Sequence, residues 1–118
     1  MIQNKLKYFK EKEFKCGKEI VYDKMDYNFL LKLDELRGLV GFPLKINSSY
    51  RTSTHNKAVG GSKNSMHLKG KAVDLYCNNG AFRAKIVKHA LNLGLSCGVY
   101  GDWVHIDDRR FQIVYVGK

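Results

Sequence analysis

The run Ser65-Met66-His67-Leu68-Lys69-Gly70-Lys71-Ala72-Val73-Asp74 constrains this chain more than any other stretch. An imidazole and a carboxylate flank a glycine, and that pair of side chains suits zinc. If Gly70 turns the chain between them, both can face one point although they are far apart in sequence. Lys71 to Tyr76 has strand character, so Asp74 is expected on a rigid element rather than a loop. A third candidate ligand is His105, in the alternating segment Gly101-Asp102-Trp103-Val104-His105-Ile106-Asp107, which also places Asp102 three residues before the histidine. Two histidines, one ligating aspartate and one spare carboxylate are the parts of a catalytic zinc site.

A chain of 118 residues is long enough for one hydrophobic core and too short for two independent ones, so a single domain over 1–118 is expected. Residues 1–22 are expected to be an arm packed on it. No apolar run approaches the roughly 20 residues that span a bilayer, so membrane insertion is not expected. The N-terminus alternates charged and apolar residues where a secretory signal needs a continuous apolar stretch. Either the protein is not exported by that route, or the signal is absent from this sequence. Cys16, Cys77 and Cys97 are an odd number with no CxxC or CxxH spacing, which reads as reduced thiols. A zinc site here would use nitrogen and oxygen ligands, favouring catalysis over a closed structural knot. The net charge of +10 points to a polyanionic partner, nucleic acid or bacterial cell wall. No helix-turn-helix, finger or aromatic-basic motif is present, so no specific nucleic acid is expected.

Residues 1–19 read as an extended or short helical arm anchored by Tyr8, Phe9 and Phe14. Met25, Phe29, Leu30, Leu33, Leu36 and Val40 fall at helical spacing, with Asp23 or Asp26 as cap, Gly41 at the end and Pro43 beyond. Leu44 to Ser48 alternates like a strand. The polar stretch 49–64 has room for a turn or two of helix before Gly60-Gly61, and loops of this kind often line sites. Gly80 to Leu93 carries Phe82, Ile86, Val87, Ala90, Leu91 and Leu93 at near-helical spacing, with Gly94 as terminator. Leu95 to Tyr100, Trp103 to Ile106 and Phe111 to Val116 read as an antiparallel meander. The fold class is α+β, a small, largely antiparallel sheet with two main helices.

Ser48-Ser49-Tyr50-Arg51, Asn56, Val59-Gly60-Gly61, the run Ser65-x-His67-x-x-Gly70-x-Ala72-x-Asp74, and Trp103-Val104-His105-Ile106-Asp107 together resemble the zinc D-Ala-D-Ala carboxypeptidases and their L-alanoyl-D-glutamate endopeptidase relatives among phage endolysins. The likeness covers roughly residues 23 to 110. It implies a fold related to the hedgehog signalling domain, a Zn2+ held by His67, Asp74 and His105, and peptidoglycan stem peptides as substrate. Asp102 matches the acidic residue that the family places three before its last zinc histidine. The segment between Asp74 and His105 is short beside the larger members, which implies a minimal version without substrate-binding insertions.

Asp102 is the candidate general base, although a Gly-Asp pair between strands is also a good hairpin turn. Arg51 offers a planar cation that can either bind a stem-peptide carboxylate or stabilise an oxyanion. Asp107, two residues after His105 and on the same strand face, either orients that imidazole or is a solvated turn residue. Ser65 either donates to substrate or shapes the loop. Trp103 is either core or a stacking platform. His55 and His89 match nothing in the family pattern, the first close to the site in sequence and the second on a helix. The leading function is hydrolysis of peptidoglycan peptide bonds by a monomer. A non-catalytic, metal-containing module that binds cell wall is the alternative.

Overall fold

The computed structural model describes residues 6–117. Its elements in chain order are β1 (Lys15–Cys16), β2 (Glu19–Ile20), α1 (Tyr27–Val40), β3 (Ile46–Ser48), α2 (Ser53–Ala58), β4 (Ala72–Tyr76), α3 (Gly80–Asn92), β5 (Ser96–Val99), β6 (Trp103–Asp107) and β7 (Val114–Val116). The class is mixed α+β, with a small β1–β2 hairpin and a five-stranded sheet ordered β3-β4-β6-β5-β7.

The helix α1 forms where its apolar period requires. Phe29, Leu30, Leu33, Leu36 and Val40 are all buried, a stripe that holds the helix to the core. Of the two candidate caps, Asp26 is the one used, its carboxylate accepting from the Phe29 amide at 2.9 Å, and Gly41 closes the other end in the left-handed region at φ 78°. Replacing such an N-cap by alanine costs about 1 kcal/mol. In α3 the buried positions are Ile86 and Ala90, and Asn79 caps the start. Phe82 is 45% exposed because it stacks on Phe42 rather than entering the core.

One face of the sheet contributes Val73, Leu75, Cys97, Val104 and Ile106 to the core beneath the helices. Phe9, Phe14 and Tyr22 join that core, packed edge to face at 5.9 and 5.4 Å. The arm also docks on α1, where the Asp34 carboxylate accepts from the amides of Lys7 and Tyr8. Because side chains alternate along a strand, the opposite face receives Asp74, His105, Asp107 and Ser96.

The last three strands are not an antiparallel meander. β6 is paired on both sides, with β4 and with β5, so neither of its edges is left for the following segment. The chain crosses the end of the sheet, and β7 pairs with β5 in parallel. This parallel pairing carries Tyr115 onto the site face. One row of cross-strand partners runs Ser48, Asp74, His105, Gly98, Tyr115 across all five strands.

Candidate metal centre and its cavity

Gly70 performs the turn on which the site depends. It has φ 69° and closes a single 3-10 turn over Met66–Lys69 that carries His67. A Cβ there would lie 2.3 Å from the Lys24 carbonyl oxygen, so both conformation and space demand glycine. Ser65 caps the same turn, its hydroxyl accepting from the His67 amide. The chain then enters β4, and Asp74 comes to stand opposite His105 on β6.

His67, Asp74 and His105 are all buried, with ligand atoms lying within 4.8 Å of one another. The outer nitrogen of each imidazole is already committed. His67 Nδ1–H donates to the Ser49 carbonyl at 2.7 Å, and His105 Nε2–H donates to Asp107 Oδ2 at 2.7 Å. The inner nitrogens, His67 Nε2 and His105 Nδ1, lie 3.2 and 2.9 Å from the same atom, Asp74 Oδ1. Two neutral rings with their outer protons so placed would turn lone pairs toward a carboxylate oxygen, which is repulsive unless positive charge sits between them. That charge is either a proton on the rings or a metal ion. The donor set fits zinc, with ligand rings held from behind by hydrogen bonds that fix their tautomers.

The electrostatics follow the same geometry. Burial works to raise the Asp74 carboxyl, but hydrogen bonds from His105 and His67 prevail and hold it well below the usual carboxylate range. Burial works to lower His105, yet its bonds to Asp107 and Asp74 leave it raised. Asp107 is fully buried. Burial opposes its ionisation too, but the bonds from His105 and Arg109 bring it down to about 2. The Arg109 guanidinium clamps it, with Nε 2.9 Å from Oδ1 and Nη2 on Oδ2.

Arg51 stands on the other side of the trio. Its Nη2 donates to Asp74 Oδ2 at 3.1 Å, its Nε to Ser48 Oγ at 3.0 Å and its Nη1 to Asn56 Oδ1 at 3.2 Å. Asn56 is itself buried and donates through Nδ2 to the Ser62 carbonyl, tying the glycine loop to the guanidinium. Above the trio lies a cavity of about 620 Å³, lined by Arg51, the loop from Gly60 to Ser65, and Tyr100, Trp103, Arg109 and Tyr115 among others.

A family model described as Peptidase M15 matches residues 7–107. The chain belongs to this family. As an M15 peptidase it is a hydrolase of peptide bonds, from a zinc-dependent family that acts on peptidoglycan, and the buried His67, Asp74 and His105 are a group able to hold that metal. No curated protein matches the chain.

The structure gathers His67, Asp74, His105, Arg51, Ser65 and Asp107 into one neighbourhood. Asp102 is exposed on the turn between β5 and β6; it is not itself among the residues lining the cavity, although Tyr100 and Trp103 on either side of it are. Asp102 precedes β6 rather than lying within it, so strand alternation does not set the direction of its carboxylate. His55 lines a separate pocket beside Ser48 and Tyr50, and His89 is half-buried on α3. Trp103 lines the cavity and stacks on Tyr100 at 4.4 Å. Sequence reasoning missed Ser49, Arg109, Tyr100 and Tyr115. Arg109 had a readable signal, an arginine two residues beyond an aspartate on the site face, whereas Ser49 acts through its backbone and Tyr115 depends on a pairing no local pattern encodes.

Proposed function

We propose that this M15 peptidase is a zinc enzyme that hydrolyses a peptide bond in peptidoglycan stem peptides or their cross-links. The observation that carries the reading is the convergence of His67 Nε2 and His105 Nδ1 on Asp74 Oδ1, with both outer N–H groups already engaged. A zinc ion with three protein ligands supplies Lewis acidity and lowers the pKa of water to about 7.

The chain's own residues orient and neutralise. Ser49 and Asp107 hold the two rings, and Arg109 holds Asp107. Arg51, fixed by Ser48, Asn56 and Asp74, keeps unused N–H groups beside the trio, where they can meet a substrate carboxylate or the oxygen on which charge develops. For proton transfer we propose Asp102. It occupies the family's acidic position, and its neighbours Tyr100 and Trp103 both line the cavity, so its turn borders the cavity mouth. The Gly101 carbonyl of that turn is pinned by Arg83 at 2.7 Å. Asp102→Asn is expected to retain zinc while kcat falls by a factor on the order of 10² or more. Loss of zinc, or unchanged turnover, would remove it from the mechanism.

The wider test is metal analysis of protein never exposed to chelator, coupled to release of new amines from purified cell wall. One zinc per chain is expected, with activity lost on chelation and restored by zinc. Protein with no bound zinc would overturn the reading.

A further inference from the structure

The family match ends at Asp107, but the cavity continues past it. Arg109, Ile113 and Tyr115 lie beyond that boundary and line the cavity on the β5–β7 side of the trio, away from Arg51 and the glycine loop. In the row crossing the sheet, Gly98 separates His105 from Tyr115. The phenol fills the space that a side chain on residue 98 would take: a Cβ there would lie 2.3 Å from Tyr115 Cζ and 2.5 Å from its hydroxyl. The Tyr115 ring thus lies on bare backbone, with its centroid 6.1 Å from that of His105.

The ring is held from its other sides as well. Tyr100 meets it edge to face at 6.1 Å, the two hydroxyls are 3.5 Å apart, and the Arg109 guanidinium lies 5.8 Å from the ring centre. Tyr100 in turn stacks on Trp103 and occupies the space over Gly117, where a Cβ would come within 1.9 Å of its ring. Two glycines therefore make room for an ordered aromatic wall beside the metal trio. An aromatic fixed before binding has little freedom left to lose when a ligand packs on it. The Tyr115 hydroxyl accepts from Tyr100, which leaves its own O–H to donate. Gly60 and Gly61 line the same cavity.

We infer that Tyr115, supported by Tyr100, is a specificity-determining residue: its ring packs against a small side chain of the bound peptide and its hydroxyl donates to a backbone carbonyl, setting peptide affinity rather than the rate of bond cleavage. The inference rests on the peptidase reading of the adjacent trio for the identity of the ligand. Trp103 is the only tryptophan in the chain and belongs to this wall, so its fluorescence reports occupancy whether or not the peptide is cut.

The experiment titrates the zinc-loaded full chain with a soluble peptidoglycan stem peptide, reading Trp103 fluorescence, and measures kcat and KM on the same peptide. Wild type is expected to show a saturable change. Tyr115→Phe keeps the ring on Gly98 and is expected to weaken binding and raise KM three- to tenfold, the loss of one neutral hydrogen bond, with kcat and zinc content unchanged. Tyr115→Ala is expected to lose more. Tyr115→Phe binding as wild type, or losing kcat in place of affinity, would overturn the inference. Saturable binding without cleavage would retain it and refute the peptidase reading. Cleavage with no fluorescence change and a KM indifferent to Tyr115→Phe would do the reverse, and neither binding nor cleavage would refute both.

Discussion

Asp107→Asn tests how the proposed metal centre is held, because it keeps the size of a fully buried side chain and changes only its chemistry. The carboxylate accepts from His105 on one side and twice or more from Arg109 on the other. An amide cannot satisfy both. If its oxygen faces His105, its NH2 opposes the Arg109 donors; if its NH2 faces His105, the imidazole must carry its proton on Nδ1, the nitrogen directed at Asp74. The second arrangement removes the lone pair a metal would use. Outer hydrogen-bond partners of metal ligands are worth about 10- to 100-fold in metal affinity, which is about 1.4 to 2.7 kcal/mol. The assay is competition for zinc against a chromophoric chelator at fixed pH. A 10- to 100-fold weaker Kd is expected, with thermal unfolding of the zinc-loaded variant still cooperative. A Kd within twofold of wild type would refute the argument that Asp107 fixes the His105 tautomer.

Arg51→Lys preserves charge but replaces a fork that reaches Ser48, Asn56 and Asp74 at once with a point charge; kcat/KM on a stem peptide is expected to drop at least tenfold, and wild-type kinetics would make Arg51 dispensable. Gly61→Ala would place a Cβ 2.0 Å from Asn56 Oδ1 and 3.1 Å from Arg51 Nη1, so a cost of about 1 to 3 kcal/mol in denaturant unfolding is expected, together with lost activity. Alkaline pH is expected to destabilise the fold. Burial, then Asp107, push the Cys97 thiol up to about 12 from an ordinary 9.0, so the unfolded chain gives up this proton first and stability falls between pH 9 and 12 by up to about 1.4 kcal/mol per pH unit. Cys97→Ala should flatten that slope in a series of urea melts.

What could be read in advance was local. His67, Gly70 and Asp74 lie within one turn and one strand, and Asp107 follows His105 at an offset of two, which on a strand means the same face. The α1 stripe was legible for the same reason, since its period lies within a single element. Tyr115 was not, because its place beside His105 is set by a parallel pairing of β7 with β5, which takes effect only once both edges of β6 are occupied. The β1–β2 hairpin escaped because strands of two residues carry no periodicity. Asp102 shows the converse limit: a motif offset of three says nothing of direction once the residue sits on a turn.

Mass spectrometry of the soluble fragments released from purified peptidoglycan by the zinc-loaded protein tests the central claim most directly. The account predicts fragments with new amino and carboxyl termini within the stem peptides, each cut adding one water, and none after chelation. Their masses also separate a terminal cut from an internal one. Release of glycan fragments with intact stems, or the same fragments from the chelated protein, would contradict it.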